Sequence, residues 1–139
     1  MFDKILHAND GSEHAFHAFS LALAMARQNG SELHMVCVEE IPYLPELIGE
    51  VREPMEIAAR RFHDVLERAR ALAKESEVRL KTHIVAGHPV GAIVTLAADL
   101  NADLLVIGAK GHSALYERMI GSRADRILQL AQCPVLVAK

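Results

Sequence analysis

The sequence has little of what cross-links, anchors or strongly charges a chain. Its 139 residues include two cysteines, Cys37 and Cys133. They lie far apart, each in or beside an apolar run, and read as reduced thiols in or near a core rather than a disulfide framework. No apolar run approaches the roughly 18 residues that signal a membrane span. The amino terminus, MFDKILHAND, carries Asp3 and too short an apolar stretch for a secretory leader. A cytoplasmic protein without a membrane partner is expected. Positive charge is not in excess either, with 15 Lys+Arg against 18 Asp+Glu and a net charge of −3. No global field attracts nucleic acid, so any polyanion must be held by local geometry. Internal repeats and domain linkers are also missing, which leaves one domain over residues 1–139.

What is present suits a folded α/β domain. A hydrophobic share of 51% and a charged share of 24% are ordinary for a globular chain, and this length buries roughly two thirds of the unfolded surface. Apolar runs at KILHA (4–8), ELHMVCV (32–38), LKTHIVA (80–86), LLVI (104–107) and PVLVA (134–138) alternate with segments of helical periodicity. The first helix starts at the N-cap Ser12, turns Ala15, Phe19, Leu23 and Ala26 inward, and stops at Gly30. A second runs from near Pro54 to about Ser76, with Ile57, Ala58, Phe62, Val65, Leu66, Ala69 and Leu72 inward. A third begins at Pro89 and continues to Leu100, and the last covers Arg123 to Ala131. Strands this apolar imply a parallel sheet covered by helices on both faces. The proline-rich stretch IPYLPELIGEVREP (41–54) is a long connection, either a lid or partner contact or a solvated crossover.

Ligands in such sheets bind beyond the carboxyl ends of the strands, where the strand order reverses. Two segments compete for that place: NDGS (9–12) and GAKGHSALYERMIGS (108–122). Each leads into a helix start, where backbone N–H groups and the positive end of the dipole attract an anion. The second has the spacing Gly108-x2-Gly111-x9-Gly121-Ser122. Its glycines let backbone approach a phosphate that a Cβ would displace, while Ser122 can cap the helix and offer its hydroxyl. Lys110, His112, Arg118, Arg123 and Arg126 add positive charge there, although each taken alone reads as a solvated surface side chain. Asp10 suits either ligand contact or a turn that serves the first helix. His14 and His17 are one helical turn apart and, with no third ligand in view, read as an exposed face. His34 and His83 fall in strands and read as satisfied near-core groups.

At these residues the sequence resembles the universal stress protein family, whose ATP-binding members carry a G-x2-G-x9-G-S/T signature. The resemblance covers the whole chain. It includes IL-x-A-x-DGSEHA (5–15), LHMVCV (33–38), GHP (87–89), ADLLVIGAKG (102–111) and CPVLV (133–137). It implies a single-domain, doubly wound five-stranded parallel sheet of order 3-2-1-4-5, of the adenine nucleotide alpha hydrolase-like type. It also implies a homodimer joined near the last strand. Carried over, Ala8, Asn9 and Asp10 meet adenine and ribose or, for Asp10, orient a metal such as Mg²⁺. Val38 supplies backbone contacts to adenine. Gly108, Lys110, Gly111, Gly121, Ser122 and Arg123 surround the phosphates, with His112 beside them. Two positions depart from the family pattern: Ala124 stands where a hydroxyl residue often lies, and Arg123 where an apolar one does.

Three functions follow as expectations. The first is a cytoplasmic stress-response protein that binds ATP with Mg²⁺ and whose nucleotide state an unidentified partner protein reads. The second is a dimeric interaction module that does not retain nucleotide. The third is a slow ATPase or ATP-using transferase. Against the third, NDGSEH has one glycine where an SGGxDS loop needs two, no Walker A, HExxH or CxxC pattern occurs, and no nucleophile and base stand out as a pair.

Overall fold

The computed structural model describes residues 1–40, 59–110 and 120–139. In chain order the described elements are β1 (Lys4–Ala8), α1 (Glu13–Asn29), β2 (Glu32–Glu40), α2 (His63–Glu75), β3 (Leu80–Gly87), α3 (Pro89–Asp99), β4 (Leu104–Gly108), α4 (Ser122–Leu130) and β5 (Val135–Ala138). The five strands form one sheet in the order β3-β2-β1-β4-β5, and every neighbouring pair is parallel.

Side chains alternate across a strand, so adjacent residues sample opposite faces of the sheet. Ile5 and Leu6 are both 0% exposed, as are Met35 and Val36. Both faces are therefore covered, which is why the strands read as unbroken apolar runs. On one face Ile5, Met35, Cys37 and Val106 pack with Phe16, Phe19 and Leu66 from α1 and α2. On the other, Leu6, Val36, Leu105 and Ile107 pack with residues of α3 and α4, among them Ile93 and Ile127.

The helix ends follow from local chemistry. The Ser12 hydroxyl accepts the Ala15 N–H at 3.1 Å, and Gly30 closes α1 in the left-handed conformation at φ 66°. Phe62, Leu66 and Ala69 face inward in and before α2, and Ala73 extends their stripe. The start of that helix near Pro54, with Ile57 and Ala58, lies outside the described residues, as does the connection 41–54.

Element ends shift by a residue or two from those read in the sequence, and two of these shifts bear on the site. β2 continues past Val38, because Glu39 and Glu40 pair with Ala86 and Gly87 of β3. α4 begins at Ser122 with Gly121 as its N-cap and no side-chain cap bond, so Ser122 does not cap it. The cause is a bond from the Gly121 N–H to the Ala109 carbonyl, 2.6 Å long, which anchors the helix start one residue early.

Candidate functional site

The strand order reverses between β1 and β4, which are neighbours in register from Ile5↔Leu104 to His7↔Val106. The turn after β1 and the segment after β4 thus emerge side by side at the carboxyl edge of the sheet.

On the β1 side, Ala8 is half-buried and packs against the α3/α4 core. Asn9 is buried and donates its backbone N–H to the Val36 carbonyl at 2.9 Å. Its Oδ1 accepts the Gly11 N–H at 2.7 Å, and Asp10 Oδ1 accepts the Ser12 N–H at 3.0 Å. These side-chain turns hold Gly11 at φ 86°, a conformation other residues reach only with strain. Asp10 thus makes the turn that its sequence context allows.

On the β4 side, Ala109 donates to the Ala138 carbonyl at 2.8 Å and accepts from Gly121, so β4, β5 and the start of α4 converge on one residue. A Cβ on Gly108 would meet the His14 carbonyl oxygen at 3.3 Å. The backbone that Gly108 admits is therefore the first turn of α1, within the protein itself. Lys110 is half-buried, while Ser122, Arg123 and Arg126 are exposed. Gly111, His112 and Arg118 lie outside the described residues.

The third wall is the end of β2. Val38 is half-buried and paired with Val85. Two residues further, Glu40 receives the Arg123 guanidinium at 2.9 Å. The structure thus brings Asn9, Asp10, Gly108 and Gly121 to one rim, and Arg123 reaches across it to β2. Ala124, where a hydroxyl was absent from the expected pattern, is buried in the α3/α4 core.

Two residues here escaped the sequence reading. His7 is wholly buried, its Nδ1 2.9 Å from the Val106 carbonyl and its Nε2 3.3 Å from Asn9 Nδ2. Burial lowers its pKa to about 4, opposed in part by the Val106 bond and the Asp10 charge. A single polar letter in ILHA was the available signal. Glu40 was missed because a charged pair after an apolar run looks like the end of a strand.

Below the rim, burial, aided by the Asp10 charge, pushes the Cys37 thiol up to about 12. That removes it as a nucleophile near neutral pH. Both cysteines are free. His14 and His17 are exposed, and among the described residues no group of three His, Cys, Asp or Glu side chains is placed to hold a metal ion. Farther away, His34 joins Glu32 at 2.7 Å and His83 at 2.8 Å, so both strand histidines are satisfied as expected.

These features define a doubly wound α/β domain whose strand order reverses between β1 and β4, at the edge where α/β sheets of this kind take their ligands. The model of the universal stress protein family matches residues 1–139, and the chain belongs to that family. It is similar to the universal stress protein YxiE of Bacillus subtilis, at 32% identity over the whole of both chains. Among solved structures it resembles the universal stress protein UspA from Lactobacillus plantarum, with a TM-score of 0.87, 26% identity, and coverage of 99% of this chain and 98% of that one. It also resembles a universal stress protein solved in complex with cAMP, with a TM-score of 0.73, 25% identity, and coverage of 98% and 95%.

Proposed function

We propose that this chain binds an adenine nucleotide, ATP with Mg²⁺, across the carboxyl ends of β1 and β4, and acts in the cytoplasm as a homodimer whose nucleotide state a partner protein reads. The observation that carries the proposal is the convergence of two helix starts on one rim. The Asn9–Ser12 turn leads into α1 beside Gly108, and the Ala109–Gly121 bond brings in the start of α4. Backbone N–H groups at such starts favour anions. The relative solved with cAMP supports the adenine class.

In this reading the turn at Ala8, Asn9 and Asp10 meets the nucleoside, and the Val38 backbone meets adenine. Lys110, Gly111, His112, Gly121, Ser122 and Arg123 surround the phosphates. Asp10 offers one carboxylate, which fits a Mg²⁺ ion that takes its other ligands from phosphate oxygens and water. The ion would screen phosphate charge in a protein whose own net charge is −3.

Native mass spectrometry of protein purified without added nucleotide tests the reading. A dimer carrying the mass of adenine nucleotide supports it. A dimer that stays empty after incubation with Mg-ATP overturns it in favour of the nucleotide-free interaction module.

A further inference from the structure

We propose that His7 is a positioning residue for the nucleotide site, fixing the Asn9 side chain and through it the turn that opens into α1. The inference rests on the nucleotide reading above and concerns a residue that lies beneath the rim. Each link in the chain of bonds dictates the next. The Val106 carbonyl can only accept, so the His7 nitrogen facing it at 2.9 Å, Nδ1, carries the hydrogen. In a neutral ring Nε2 is then bare and can only accept. The Asn9 group facing it at 3.3 Å must therefore be the amide NH₂. That leaves Asn9 Oδ1 on the other side, where it accepts the Gly11 N–H at 2.7 Å.

Reversing any link sets acceptor against acceptor or donor against donor. With the other tautomer, Nδ1 would turn a lone pair on the Val106 oxygen, and the Asn9 amide would flip its NH₂ onto the Gly11 N–H. A carbonyl on β4 thereby sets the direction of a turn on β1. Gly11 is held at φ 86°, and the Ser12 cap follows directly. The direction in which α1 presents its first N–H groups depends on this relay. Two further observations hold the ring neutral and still. It is wholly buried, and its centroid lies 5.4 Å from that of Phe19. The lowered pKa of His7 agrees with a ring that does not protonate near neutral pH.

The test combines a tautomer measurement on the wild type with two variants. Long-range ¹H–¹⁵N correlation at about pH 7 should show His7 protonated on Nδ1 and bare on Nε2. His7→Phe keeps a ring beside Phe19 and deletes both nitrogens. Calorimetry should show it binding both ATP and AMP about tenfold or more weaker, because the turn meets the nucleoside that they share. His7→Gln restores one donor and one acceptor and should recover part of the loss, which a purely packing role would not give. A wild-type His7 protonated on Nε2 overturns the inference, and this measurement decides even where His7→Phe fails to fold. Unchanged nucleotide affinity in a folded His7→Phe overturns it as well. A wild type that binds neither nucleotide overturns the nucleotide reading, and the inference with it.

Discussion

Arg123, in the first turn of α4, holds Glu40, the last residue of β2, at 2.9 Å across the carboxyl edge of the sheet. Their side chains are 58% and 57% exposed, so the pair contributes only about 0–1 kcal/mol to stability. Its interest lies in competition. A phosphate approaching the start of α4 meets a guanidinium already engaged by a carboxylate. Arg123→Ala should weaken ATP more than AMP, since a guanidinium there acts on outer phosphates. Glu40→Gln should strengthen ATP a few-fold and AMP less. Titration calorimetry with both nucleotides checks this, and parallel changes for ATP and AMP would place Arg123 away from the phosphates.

His7 gives the fold a pH dependence of known sign. The unfolded chain takes up this proton near 6.5, whereas burial holds the folded value at about 4. As pH falls through that window the unfolded state binds a proton that the folded state refuses, and stability drops. The loss is roughly 3 kcal/mol by pH 4. His83, also lowered by burial, adds in the same direction. Urea unfolding at a series of pH values should show the decline, and His7→Phe should flatten most of it. A wild-type stability that is level from pH 7 to 4 would contradict the assignment.

Glu32 governs a lower window. Bonds from Lys81 and His34 hold its carboxyl down at about 2, against an ordinary 4.5. Its contribution is complete above the ordinary value and disappears as pH falls toward 2. Glu32→Gln should therefore reduce stability at neutral pH and make acid unfolding shallower below about pH 4, as followed by circular dichroism.

Gly108 and Gly111 belong to one motif but should respond differently. A Cβ on Gly108 meets the His14 carbonyl at 3.3 Å, so Gly108→Ala should cost about 1–3 kcal/mol in the ligand-free protein as α1 is pushed outward. Gly111 lies outside the described residues, and its expectation comes from the motif spacing. Gly111→Val should lower Mg-ATP affinity about tenfold or more with far less effect on apo stability. Urea unfolding and calorimetry on the same preparations separate the two, and the reverse pattern would exchange their roles.

β5 is the outer strand next to β4. The carbonyls of Pro134 and Ala138 accept from Leu105 and Ala109, so by the two-residue period Val135 and Val137 aim their backbone groups away from β4. A symmetric partner strand can satisfy that edge. Val137→Pro removes one outward N–H and should shift sedimentation at micromolar concentration from dimer toward monomer while circular dichroism stays native. A wild type that sediments only as monomer removes the dimer.

The fold was legible because a parallel sheet buried on both faces leaves its strands as apolar words, and because Ser12 and Gly30 mark α1 by chemistry that needs no tertiary partner. The ends were harder. Glu39 and Glu40 look like loop until β3 is known to run beside them, and Ser122 looks like a cap until Gly121 is tied to Ala109. In the candidate site, glycine spacing pointed to the segment beyond β4, but spacing does not reveal what each glycine faces. Gly108 faces α1. His7 was illegible for a different reason: its role depends on Val106, 99 residues away, and nothing local in ILHA announces that partner.

The register between β1 and β4 also dictates an order of assembly. β1 is made first yet lies in the middle of the sheet, and its second neighbour begins at Leu104. Until that strand has been synthesised, one long side of β1 has no partner, and the Val106 carbonyl needed by His7 does not exist. Such long-range pairing slows folding, and a bare apolar edge invites pairing with the wrong chain. The nascent protein therefore carries β1 with one edge unpaired until β4 is made, and the rim that the two strands share forms only after that.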